Sequence, residues 1–195
     1  MSTLKTTNIT HPSATSNNIV LASDGSATIP TLTTTTIQGT IKSGTAQNST
    51  SGTSIDFTGI PSWVKRITVM FNGVSTSGAS LVIIQLGTSS GVANSGYTSA
   101  GVYVAGSTGS SGNITTGFVT SNHASGTYVR NGHNLIANIN SNNWVHSSTL
   151  STSSAELGIG AGSVSLSGTL DRVRITTVNG TDTFDAGSIN ILYEG

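Results

Sequence analysis

The chain contains no cysteine. That excludes disulfides, thiol catalysis and cysteine-ligated metal, and leaves the compartment open, since many extracellular proteins also lack cysteine. Charge is scarce as well. Asp, Glu, Lys and Arg make up 7% of residues, against about 25% in ordinary soluble proteins. Seven cationic side chains balance seven anionic ones. So few Lys and Arg give no electrostatic footprint for nucleic acid and no basic face for an anionic membrane. The apolar run Leu81-Val82-Ile83-Ile84 is far too short for membrane insertion. The opening MSTLKTTNITHPS has no apolar core of a signal peptide. A protein that works outside the cell is then expected to leave by another route, such as lysis. Zero net charge favours association, so a permanent oligomer is one way for such a chain to stay soluble.

Aromatic residues are also missing from the first part of the chain, where Phe57 is the earliest. Aromatics bury large areas, so a segment without them is poorly equipped to build its own core. This divides the chain into an arm (1–41), a linker of Gly/Ser/Thr composition (42–53) and a β domain (54–195). Within the arm, Ile19-Val20-Leu21-Ala22-Ser23 meets Asp24-Gly25 and then Ser26-Ala27-Thr28-Ile29. An Asp-Gly pair between β-favouring runs predicts a hairpin. An isolated hairpin is marginal in water, so it is expected to add to a sheet of a sister chain or another partner. Residues 28–41 read as an extended β-branched rod, which Pro30 keeps off a sheet interior.

What the body has in plenty is Gly, Ser, Thr and Val, the composition of short strands joined by tight turns. Val64 to Val74 alternates, with Ile67, Val69 and Phe71 on one face. Leu81 to Leu86 is apolar on both faces, which predicts a strand covered by the core and by a subunit contact. Further strands are expected over 54–58, 101–105, 114–119, 126–130, 134–139, 143–149 and 163–167. Leu170 to Val178 is expected to run through Asn179-Gly180 as a hairpin into Ser188–Glu194, which buries Ile189, Ile191 and Tyr193. No window carries a helical apolar stripe. The fold expected is all-β: a jelly-roll-like antiparallel β-sandwich behind an extended arm.

Candidate chemistry is thin. Leu157-Gly158-Ile159-Gly160-Ala161-Gly162 has glycines spaced like a phosphate-cradling loop, but that reading needs a helix N-terminus next. Ser163-Val164-Ser165-Leu166 follows instead and reads as strand. His11, His123, His133 and His146 lack zinc-type spacing and are expected as solvated or hydrogen-bonded surface groups. Asp182-Thr183-Phe184-Asp185 offers two carboxylates where calcium wants six to eight oxygens, so a turn held by Asx-type bonds is the better reading. No two of the seven carboxylates are paired by the sequence for glycoside hydrolysis, and no Ser-His-Asp triad is indicated. Neither an enzyme nor a cofactor is expected. For sugar stacking, Trp144 among Asn142, Asn143 and His146 is the best placed ring, with Tyr128 as a second platform. The plain alternative for Trp144 is core or subunit interface, since Trp is highly buried on average.

Three segments carry a resemblance. LKTTNITHPSATSNNIVLASDGS (4–26) resembles the amino-terminal motif of many virion proteins of tailed phages, especially phages of cyanobacteria and other aquatic bacteria. SGTSIDFTGIPSWVKRITVMFNGVSTSG (51–78) and LDRVRITTVNGTDTFDAGSINILYEG (170–195) resemble the two ends of a small β domain common in phage tail-fibre proteins. The resemblance implies a homotrimeric fibre. Its arm would join other virion proteins, of tail, baseplate or capsid, through Ile19, Val20, Leu21, Asp24 and Gly25. Its β domain would point outward to a host-surface glycan. Release by lysis fits the missing signal peptide. A capsid decoration or head fibre with a purely structural role is the alternative. A capsule-degrading spike is disfavoured, because such spikes need a long repeat array and a carboxylate-lined groove.

Overall fold

Alternation builds the framework. In Arg66–Thr76 the side chains of Ile67, Val69 and Phe71 are buried, while Thr68 and Met70 between them are half-exposed. A computed structural model describes residues 8–9, 19–21, 23, 27–28, 41–105, 108–152 and 156–195 of the chain. Among them there is no helix, and every strand pairing is antiparallel. The chain divides into two units, Met1–Gln38 and Gly39–Gly195.

The first unit holds a small sheet of three strands, β1 (Asn8–Ile9), β2 (Ile19–Leu21) and β3 (Ala27–Thr28), in the order β1-β2-β3. Val20 pairs with Thr28 and Leu21 with Ala27, the pairing expected of a hairpin turning at Asp24-Gly25. Those two turn residues lie outside the described residues. The additional strand a hairpin needs comes from the same arm, as Asn8 pairs with Val20.

The second unit is the sandwich. Its strands are β4 (Ile41–Ser43), β5 (Gln47–Asn48), β6 (Ser54–Thr58), β7 (Arg66–Thr76), β8 (Val82–Thr88), β9 (Gly91–Val92), β10 (Thr98–Ala105), β11 (Thr108–Ile114), β12 (Phe118–Val119), β13 (Arg130–Asn140), β14 (Asn143–Thr152), β15 (Leu157–Ser165), β16 (Arg172–Thr177) and β17 (Phe184–Glu194). The larger sheet runs β11-β10-β15-β14-β13-β7-β17-β4, with β5 also on β17. The smaller runs β12-β8-β16-β6, with β9 on β8. The chain changes sheet repeatedly, as in jelly-roll-like sandwiches, while β13, β14 and β15 form a meander within one sheet.

The interior has two halves. One is apolar, with Ile67, Val69, Ile189 and Ile191 facing Ile84, Leu86, Val173 and Ile175. The other is thin and polar. There β15 offers Gly158 and Gly160 inward, where added Cβ atoms would meet Ser121 and the Val119 carbonyl. Gly101 of β10 likewise faces Val119. The backbone of 118–122 therefore rests directly on the larger sheet. Val119 N donates to Ser99 Oγ at 2.9 Å and Ser148 Oγ donates to the Thr120 carbonyl at 2.6 Å.

Several expectations change. Residues 42–53 are not a free linker. Lys42 pairs with Tyr193, Gly44 N donates to Ile191 O, and Ser49 is buried and bonds the Ala186 and Gly187 carbonyls. The turn at Asn179-Gly180 joins the two sheets and closes no hairpin, since β16 and β17 lie in different sheets. Residues 157–162, read as a glycine loop, belong to strand β15. The strand expected over 126–130 is a loop that ends where β13 begins at Arg130. β8 is covered on both faces as expected, but by the chain itself: Gln85 Nε2 donates to the Thr116 carbonyl, and Gly117 lies against Ile83.

Candidate functional site

Strand register defines two ends of the sandwich. Ile41 pairs with Glu194, Glu194 with Arg66, and Arg66 with Ala137. The point where the chain enters the body, the chain terminus and the β13–β14 hairpin thus share one end, here called near. Thr76 pairs with Phe184, and Arg130 with both Val74 and Thr152. The loops 77–81, 120–129 and 178–183 accordingly form the far end.

At the near end, asparagines tie off the hairpin. Asn138 Nδ2 donates to the Ser141 and Asn143 carbonyls at 3.0 and 3.1 Å, and Asn143 Nδ2 to Asn140 Oδ1 at 2.7 Å. Ser141 takes φ 41° to close the turn, a conformation that costs a residue bearing Cβ. Trp144 points inward, because β14 places Trp144, His146, Ser148 and Leu150 on one face. It is 3% exposed, and its Nε1 has no hydrogen-bond partner among the described residues. Two depressions of about 320 and 240 Å³ flank the hairpin; Asn143 lines the first, Asn142 the second, and Trp144 both. The indole is therefore core, and no open face of it is offered to a sugar.

Tyr128 lies at the far end, about 26 Å from the hairpin by the strand rise along β13. The structure thus brings together Trp144, Asn142 and Asn143 and leaves Tyr128 apart. Around Tyr128 it assembles a cluster the sequence did not announce. His123 stacks on Tyr103 with ring centres 4.4 Å apart and planes 7° from parallel. Tyr128 packs against the same imidazole at 3.8 Å. His123 Nδ1 stands 2.9 Å from Glu156 Oε2, within ion-pair reach but off the line of a hydrogen bond. Burial lowers the His123 pKa, and Glu156 opposes that. Beneath them Arg130, 1% exposed, gives Nη1 to the Tyr128 carbonyl and Nη2 to those of His123 and Ser125. Burial pulls its pKa to about 10, with Asp185 acting the other way, so it stays charged at neutral pH.

Two histidines expected at the surface are instead inside, while His133 is exposed and His11 falls outside the described residues. His146 stacks on Phe118 at 4.8 Å and its Nε2 lies 3.3 Å from Asn134 Oδ1. Burial holds its pKa down to about 4. In the unfolded chain an imidazole titrates near 6.5, so between the two values the unfolded state binds more protons. Stability from this group is complete above pH 6.5 and is lost as pH falls toward 4. The difference is about 3 kcal/mol. We expect His146→Gln to flatten the acid limb of a urea-denaturation series between pH 7 and 4; an unchanged slope would remove His146 as its source.

The expected Asx turn is present: Asn179 Oδ1 accepts from Thr181 N and Asp182 N. Asp182 in turn accepts from Ser80 N and Asn179 Nδ2, while Asp185 accepts from Ser75. Among the described residues no three His, Cys, Asp or Glu side chains gather as a metal site. No helix there is long and apolar enough to cross a membrane. A polar groove of about 400 Å³ lies outside the smaller sheet, lined by Gln85, Asn94, Thr116, Arg174 and Thr176; its residues lie on separate strands, and no sequence motif links them. Comparison with known proteins found no matching family model, no matching curated protein and no matching solved structure.

Proposed function

We propose that the chain is a fibre-like structural component of a tailed-phage virion, anchored through residues 1–41 and presenting its β domain to a host-surface glycan. The observation that supports this reading is the polarity of the body. The chain enters at Ile41, beside its own last strand, and the opposite end carries two tyrosine rings around His123, Tyr128 on a loop and Tyr103 on β10. A protein tethered at one end and free at the other has the geometry an attachment fibre needs. In this reading the host-facing surface is the far end, where Tyr103 and Tyr128 are half-exposed. Trp144, Asn142 and Asn143 lie at the tethered end. Several weak sugar contacts, one per copy, act together on a repeating surface.

The test is removal of residues 1–38, a cut that keeps β4 with the body. The shortened chain is expected to fold and stay soluble but to be absent from purified particles. Its incorporation at the full-length level would remove the anchoring role from the arm. Cryo-electron microscopy of particles carrying the full chain decides the location. Density on the tail supports host attachment, and density over the capsid lattice makes the chain a decoration or head fibre.

A further inference from the structure

Strand pairing sets three polar side chains in one row across the outside of the smaller sheet. Arg174 of β16 has Asp56 of β6 as its partner on one side and Gln85 of β8 on the other. All three turn outward, because Phe57, Val173, Ile84 and their alternate neighbours fill the core. Asp56 accepts from Arg174 Nε at 2.7 Å and from Nη2 at 2.9 Å. This two-pronged grip fixes the guanidinium and offsets its charge. Nη1 is left without a partner among the described residues and is open to solvent. Gln85 is 9% exposed, and its Nε2 donates to the Thr116 carbonyl at 2.8 Å. A carbonyl accepts only from the amide nitrogen, so that bond decides which way round the amide sits. Oε1 is then the atom left over, open and without a partner among the described residues. Arg174 and Gln85 both line the groove of about 400 Å³, with Asn94, Thr116 and Asn179 around them.

We propose that this groove binds a small, neutral, polyhydroxylated ligand of the monosaccharide class, held by Arg174 Nη1 and Gln85 Oε1. Cross-strand partners stand about 5 Å apart at Cβ, so a fixed donor lies beside a fixed acceptor. A hydroxyl group both donates and accepts, and neighbouring hydroxyls of one ring can meet both atoms. The other ligand classes fit less well. An anion gains little from a guanidinium that Asp56 already balances. A nucleobase wants a ring to stack on, and no aromatic residue lines the groove. The volume lies within the range of about 300 to 1,000 Å³ that small-molecule sites occupy. Asp56 and the Thr116 carbonyl hold the two side chains in place beforehand, so little side-chain freedom is lost on binding. Without a stacking ring the affinity rests on hydrogen bonds and is expected to be millimolar. The groove is separate from the ring cluster around His123, and the inference does not rest on the virion reading.

The probes are methyl glucoside, methyl galactoside and methyl mannoside, each added to the full-length chain and read by saturation-transfer NMR. At least one is expected to bind saturably. Arg174→Gln is expected to weaken that binding at least about tenfold, because a hydrogen bond from a charged donor is lost. Arg172→Gln makes the same change two positions earlier on β16, outside the groove, and is expected to leave the affinity unchanged. Asn94→Ala removes an exposed side chain that bonds no described residue, so it tests the groove without straining the fold. It is expected to weaken binding about threefold. No saturable signal from any of the three glycosides overturns the proposal. Wild-type affinity in both Arg174→Gln and Asn94→Ala overturns it too. Loss of binding in Tyr128→Ala with wild-type affinity in Arg174→Gln assigns the sugar to the ring cluster and overturns it equally.

Discussion

Gly160→Val is expected to abolish accumulation of folded protein or to lower its stability by at least about 3 kcal/mol. A Cβ at this position would run into the Val119 carbonyl and stand 2.6 Å from Ser148 Oγ. The first of these is backbone, which cannot rotate aside. To make room, the segment 118–122 must lift off the larger sheet. That would break the bonds from Ser148 Oγ to Thr120 O and from Val119 N to Ser99 Oγ, and it would loosen Phe118, which is fully buried. Gly168 is the matched control, because a Cβ there meets only Thr88 Cγ2 at 3.5 Å, an ordinary contact. Gly168→Ala is therefore expected within about 1 kcal/mol of wild type. Chemical denaturation of both variants checks the pair. A wild-type midpoint for Gly160→Val would mean that the two sheets stand further apart than described.

Arg130→Met should destabilise the protein by about 3 kcal/mol and loosen the far end first. The guanidinium is buried, and three carbonyls of the 123–128 loop converge on it. Met fills the volume and spares the cost of burying a charge. It leaves carbonyls that need another donor, each costing on the order of 1 kcal/mol or more when buried. Amide exchange separates this local role from a merely general one. Protection over 121–129 is expected to fall before that of β7 and β17. Uniform loss across the sandwich would argue against a loop clamp.

The period-two strands were legible in the sequence. Ile67, Val69 and Phe71, and Ile189 with Ile191, lie where alternation puts them, and Val82, Ile83, Ile84 and Leu86 are buried on both faces as their unbroken run predicts. The same alternation carries Trp144 into the core in step with His146 and Leu150, so the inward indole was readable from spacing, though not the depressions beside it. Other features were hidden for physical reasons. β15 shows no apolar stripe, because its inward Gly158 and Gly160 let the 118–122 segment approach, and Val164 is the one apolar side chain on that side. Asn179-Gly180 specifies a tight turn but not which sheet receives the next strand. Residues 42–49 have linker composition, yet an edge strand needs only backbone groups to pair. His123, Tyr128 and Arg130 share one short segment, but Tyr103 comes from β10 and Glu156 from the start of the β15 segment, and only the closed fold brings these to them.

The pairing of the first body strand with the last has a mechanical consequence. Ile41, Lys42 and Ser43 run antiparallel to Glu194, Tyr193 and Leu192, and the bonds from Gly44 and Ser49 to the Ile191 and Gly187 carbonyls continue along the same strand. A pull on the arm directed away from the near end acts along β4. It loads these bonds side by side, so that they share the force and must yield together. Tension from the same arm applied sideways would instead peel them off one at a time. The seam is thus strong along the axis of the body and weak across it, so traction on the arm favours alignment of the sandwich with the line of force.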